Sequence, residues 1–142
     1  MSVSDLPTEL VEAYRRTEYR IHAGEESIVL RIGEPSGGAR RLIEECGNGG
    51  ATFITAENPY SRPQTVVENL ARQASLRADL TRIGASILEG AGHGQDPTWP
   101  PEASYFAVGV TRAQACELGR KYQQNAIVWI GRESIPELLM LR

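Results

Sequence analysis

A run of β-forming residues at 52–56 (Thr-Phe-Ile-Thr-Ala) passes directly into Glu57-Asn58-Pro59-Tyr60-Ser61, and a long helical pattern opens a few residues later. Proline has no ladder donor and biases the backbone of its predecessor, so Asn58-Pro59 stops the strand. Thr65 or Ser61 then begins a helix over residues 66–83, and Gly84 closes it at the position glycine favours beyond a helix end. At 100° per residue Val66, Leu70, Leu76 and Leu80 fall in one broad arc, which predicts that all four face the core. The junction therefore sets polar side chains and an anion-friendly helix N-terminus at the end of a buried strand. That is a place for a site, and other segments converge on it.

After the long helix the spacing predicts a strand over 85–89, a polar loop over 90–102 and a strand over 104–110. Thr111-Arg112-Ala113-Gln114 is a capping box that starts a second helix, reaching about residue 122 and burying Ala115, Leu118, Gly119 and Tyr122. Gly119 lowers helix propensity there, which points to close approach of the helix to the sheet. A strand follows at 126–130 and a short one at 138–141. Upstream, Ser4 is a cap for a helix over 7–15, which Leu6, Leu10 and Tyr14 mark as a lid on the domain. Two strands, 19–22 and 28–32, alternate around Ala23-Gly24-Glu25-Glu26 as a hairpin. A loop at 34–38 leads to a helical segment at 39–46, ended by Gly47-Asn48-Gly49-Gly50.

From residue 52 the order is strand, helix, strand, strand, helix, strand. This predicts an α+β fold with a ferredoxin-like split β-α-β core, helices on one face of an antiparallel sheet. The 142 residues are read as one domain, with 1–50 a helix and hairpin extension and 51–142 the core. Tracing strand directions brings residues 57–64, 90–102 and 123–125 to the same end of the sheet. Strands 52–56 and 104–110 are expected to be antiparallel neighbours in its interior.

Composition narrows the function classes. Fifteen basic and eighteen acidic residues give a net charge of -3, which argues against nucleic acid as a partner. No apolar run approaches the ~20 residues of a membrane span. The first ten residues lack the basic start and apolar core of a signal peptide, so a cytoplasmic location is expected. Cys46 and Cys116 match no metal or redox spacing and are expected as free thiols.

At the converging segments the chain resembles the bacterial family called domain of unknown function 3293. The likeness rests on residues 53–61, on Asn69 and Arg72, and on Trp99 with Glu102-Ala103-Ser104. It continues through Leu118-Gly119-Arg120 into Gln124-Asn125-Ala126-Ile127, covering roughly the last two-thirds of the chain. It implies no activity. It does support the polar end of the sheet as the region of interest.

Asn69 lies between Val66 and Leu76 in angle, so it points toward the apolar side and requires a hydrogen-bond partner. It either braces the Asn58-Pro59 backbone or contacts a ligand. Arg72 follows at i+3 and suits an ion pair with Glu57 or Glu68, or an anion at the helix start. Gly90-Ala91-Gly92-His93-Gly94 has the composition of a phosphate loop. Set between two strands, it reads instead as a mobile turn, with His93 able to titrate near neutrality. Trp99, among three prolines, anchors the loop or stacks on a ring. Glu102 is the carboxylate best suited to acid-base work.

Three readings follow. The first is a small module that binds an anionic or nucleotide-like ligand through Asn58, Ser61, Asn69, Arg72, Trp99 and Gln124. The second is an enzyme using Glu102 or His93 as acid-base in the same pocket. The third is a protein-interaction domain that uses a sheet edge or open sheet face. A wide apolar patch away from the cluster would favour that one. No metal site and no cofactor are expected.

Overall fold

The computed structural model describes residues 6–47 and 49–142; Ser4 and Asn48, named above as cap and helix end, lie outside the described residues. Among the described residues four α-helices and seven strands form an α+β fold around a single antiparallel sheet. In chain order they are α1 (Thr8–Arg16), β1 (Glu18–Ala23), β2 (Glu26–Leu30), α2 (Gly37–Glu45), β3 (Ala51–Ile54), α3 (Val66–Arg82), β4 (Ser86–His93), β5 (Glu102–Val108), α4 (Arg112–Lys121), β6 (Ala126–Ile130) and β7 (Pro136–Met140). The sheet order is β2-β1-β4-β5-β3-β6-β7. β3 and β5 are interior antiparallel neighbours, with Phe53 opposite Phe106, as the chain order anticipates. The N-terminal hairpin extends the sheet at the β4 edge, where Arg20 lies opposite Ala91.

Strand alternation gives the sheet two apolar faces, and both are covered. On one, Ile54, Tyr105, Ala107 and Ile127 pack with Leu76 and Leu80 of α3 and Ala115 of α4. On the other, Phe53, Phe106, Val108, Val128 and Ile130 form a core with Ala39 and Ile43 of α2 and with Tyr19, Ile21 and Leu30. The two helices of the predicted core, α3 and α4, thus share one face as expected, while α2 lies on the other. The second face is too apolar to be left in water, and the N-terminal extension supplies its cover.

Both long helices start on reciprocal capping boxes, Thr65 with Glu68 and Thr111 with Gln114. Ser36 caps α2 by accepting from the Ala39 amide at 3.1 Å. Gly119 is where the sequence expects close approach: a Cβ there would lie 2.4 Å from Leu141 and 2.8 Å from Ile127.

Two expectations change. β4 runs to His93, so Gly90 and Gly92 are strand residues and the connecting loop begins at Gly94. Gly90 allows this because a Cβ would sit 2.3 Å from the Arg20 carbonyl oxygen. Val66 and Leu70 are not core residues; they are 75% and 64% exposed. At the start of α3 the inward positions belong to Asn69, Arg72 and Gln73, which bind loop backbone and displace the apolar arc outward.

Among the described residues no helix is long and apolar enough to cross a membrane. Cys46 and Cys116 are both free.

Candidate functional site

The loop after β3 folds back on itself through left-handed backbone at Asn58 (φ 48), Tyr60 (φ 51) and Ser61 (φ 60), and Gln123 in the facing loop has φ 57. Non-glycine residues seldom adopt that conformation, and a cluster of them persists only where surrounding bonds over-determine it. The bonds are present. Gln73, buried in α3, accepts from the Ala56 amide at 2.6 Å and donates to the Ala103 carbonyl at 2.8 Å. Arg72 donates Nε to the Ala56 carbonyl at 2.6 Å and its remaining nitrogens to the Tyr122 carbonyl and to Gln123 Oε1. Asn69 Oδ1 accepts from the Asn58 amide at 3.0 Å, and its Nδ2 donates to Asn58 Oδ1 at 3.1 Å. From the other side, Gln124 Nε2 donates to the Glu57 carbonyl at 3.1 Å.

These ties fix Asn58 so that its Nδ2 donates to Glu102 Oε2 at 2.9 Å. Glu102 opens β5 on the same sheet face as Ser104 and Phe106, and there it meets a cavity of about 740 Å³. The volume lies within the range of small-molecule sites. Phe53, Tyr19 and Val128 form part of its floor, Leu10 and Ala13 of α1 part of its roof, and Trp99 part of its rim. α1 has no buried residue of its own. It is held by its last turn: the Tyr14 hydroxyl lies 3.0 Å from Ser61 Oγ and accepts from Asn125 Nδ2 at 3.1 Å, while the Tyr19 hydroxyl donates to the Tyr14 carbonyl at 2.6 Å.

Electrostatically the cavity is acidic. Glu9, Glu12, Asp96 and Glu102 line it, against Arg16 as the one basic residue among the described lining. Burial is the main cause that raises the Glu102 pKa above its ordinary range; the Asn58 donor opposes this and the neighbouring Glu57 adds to it. Glu57, whose Oε1 accepts the Ala103 amide at 3.2 Å, is likewise raised, chiefly by burial. Oε1 of Glu102 accepts no hydrogen bond among the described residues, although Oε2 does.

Of the residues singled out in the sequence, Asn58, Ser61, Trp99, Glu102 and Gln124 line the cavity. Asn69 and Arg72 do not. They stand behind the loop, where Asn69 takes the bracing geometry and Arg72 meets carbonyl oxygens in place of Glu57 or Glu68. His93 lies in strand, not loop, paired with Glu18, and alternation turns it to the face opposite Gly92 and the cavity. Its pKa is lowered, first by burial and then by Arg20. An anionic ligand, expected on the strength of Arg72, meets the wrong charges here.

Sequence reasoning missed Gln73, Tyr14 and Tyr19 as parts of the site, and it placed Asn125 at this end of the sheet without giving it a partner. Gln73 had a visible signal, a polar residue three before Leu76 on the buried side of a helix. Tyr14 was read only as a packing residue, although a tyrosine in a lid carries a polar tip.

No curated protein and no solved structure matches the chain significantly. A family match begins on the strand that feeds the left-handed loop and ends on β6, and so takes in the loop, its braces on α3, Glu102 and Gln124. Since that match spans residues 54–127, just over half of its length, the chain belongs to the family described as Protein of unknown function (DUF3293).

Proposed function

We propose that the protein binds a small molecule in the cavity beneath α1, one with an apolar or aromatic body and a cationic or hydrogen-bond-donating end directed at Glu102. The observation that carries this is the Glu102 carboxyl itself. It is held by Asn58 through one oxygen, its second oxygen has no partner among the described residues, and no basic side chain but Arg16 lines the cavity with it. Glu102 is half-buried and its free oxygen is reached by solvent, so a ligand entering the cavity can meet it. A donor there offsets the cost of holding a carboxylate partly out of water without a cation. Tyr19, Phe53 and Trp99 line the cavity as aromatic surface for the body of such a ligand, and rings also favour a nearby ammonium. A nucleobase could stack on the same rings, but a phosphate would oppose four carboxyls.

A second reading, an enzyme with Glu102 as acid-base, is favoured by its raised pKa and its neighbour Glu57. Of the two catalytic candidates from the sequence, Glu102 lies in the cavity, and we keep it alone. The surrounding frame we read as one domain with a ferredoxin-like core. The order β4-β5-β3-β6 and the placement of α3 and α4 on one face support this. Two free thiols fit a reducing, cytoplasmic setting.

Three probes with one body and different ends test the proposal by thermal shift: phenethylamine, phenylethanol and phenylacetate. The amine should raise Tm with concentration, the alcohol less, and phenylacetate not at all. Equal shifts for all three, or a shift with phenylacetate alone, would remove Glu102 from the account. Conversion of any probe on long incubation, followed by NMR, would favour the enzyme.

A further inference from the structure

The outer face of α3 is apolar from Val67 to Ala78. Wound at 100° per residue, Val67, Leu70, Ala71, Ala74 and Ala78 project opposite the buried Leu76 and Leu80. Val67 is 76% and Leu70 64% exposed, and Val66 beside them 75%. The three alanines are exposed as well. Helices with one buried face ordinarily turn charge toward water, and an apolar stripe on both sides marks a second packing partner. The stripe lies on the helix side away from the sheet, while the cavity opens on the opposite sheet face, so the ligand site does not account for it.

We infer that this face packs against the same face of a second copy of the chain, with the two α3 helices antiparallel about a two-fold axis near Ala74. The sequence of the stripe and the charges beside it select that occupant. A two-fold near Ala74 sets Leu70 of each chain against Ala78 of the other, a large residue over a small one, and alanine meets alanine at the axis. Glu68 and Arg82 lie on the same flank of the stripe, one near each end, and both are exposed. Arg82 meets Asp79 of its own chain through one nitrogen at 3.1 Å and Glu68 accepts the Thr65 amide through one oxygen, which leaves each with polar atoms free to turn outward. In an antiparallel pair like flanks meet, so Glu68 of each copy faces Arg82 of the other and the ion pair forms twice. A parallel pair would instead bring the Arg82 and Arg77 ends together. Arg77 is folded over the Tyr105 ring, 5.6 Å from its centroid, which keeps its charge off the stripe.

Sedimentation velocity on the full chain over a concentration series tests this. The wild-type chain should show a monomer-dimer equilibrium. Ala74→Arg should be monomeric at every concentration and should melt as the wild type does when diluted to monomer, since an exposed alanine contributes nothing to the core. Glu68→Arg and Arg82→Glu each place like charges at both pairing points, and each should weaken self-association by about tenfold or more. Mixed in equal amounts, these two variants regain both opposite-charge pairs in a heterodimer, and dimer should return. A wild-type chain monomeric throughout overturns the inference. So does a dimer indifferent to Ala74→Arg, or a mixture no more associated than its components.

Discussion

Single side chains in this protein divide into those that hold the loop and those the loop holds out. Arg72 belongs to the first kind. The sequence offers Arg72 an ion pair with Glu57 or Glu68, or an anion at the helix start, whereas its guanidinium serves the carbonyls of Ala56 and Tyr122. Arg72→Ala should therefore lower unfolding free energy by about 1–3 kcal/mol in urea titrations, as should Asn69→Ala, because each strands buried loop groups. A near-zero change for either would mean that the loop keeps its shape without these braces. Glu102 belongs to the second kind. Its pKa is raised in the folded state, so the folded chain holds the proton that the unfolded chain releases from 4.5 upward. Stability from this group is present below that pH and is lost as pH climbs through the raised value. Glu102→Gln should accordingly gain Tm relative to wild type near about pH 8, with the gain disappearing below the ordinary carboxylate range. A gain constant with pH would remove burial of the charge as its cause.

At the scale of elements, the strands carry their own explanations and α1 does not. β4 and β1 pair closely only because Gly90 has no side chain. Gly90→Ala would drive a Cβ to 2.3 Å from the Arg20 carbonyl oxygen, and should cost about 1–3 kcal/mol or more and loosen the N-terminal hairpin first. Hydrogen exchange that stays slow in β1 of this variant would contradict that. α1 is tied mainly through the Tyr14 and Tyr19 hydroxyls and buries none of its residues. Tyr14→Phe should therefore speed amide exchange over residues 8–16 while leaving β3 and β5 protected. Chain order made β3, α3, β5, α4 and β6 legible, because capping boxes and period-two runs are local signals. The extent of β4 was not legible. Glycines read as turn unless the neighbouring backbone that excludes a side chain is known, and that neighbour is Arg20, seventy residues earlier.

For the molecule as a whole, the same direction tracing that ordered the strands placed the loops after β3, β4 and α4 at one end, and hydrogen bonds among Glu57, Asn58, Glu102 and Gln124 join them there. What could not be traced was which side of the sheet the side chains would use. Asn69 and Arg72 reach the loop from the α3 face and Glu102 from the α1 face, and the charge of the cavity follows from that division. The central claim is that Glu102 receives the donor end of a small ligand beneath α1. Calorimetric titration of phenethylamine into wild type and Glu102→Gln, repeated across pH, measures it most directly. Wild-type binding should strengthen as pH rises through the raised Glu102 pKa, and Glu102→Gln should bind at least about tenfold more weakly with no such pH dependence. Equal affinity for the two proteins at every pH would contradict the account.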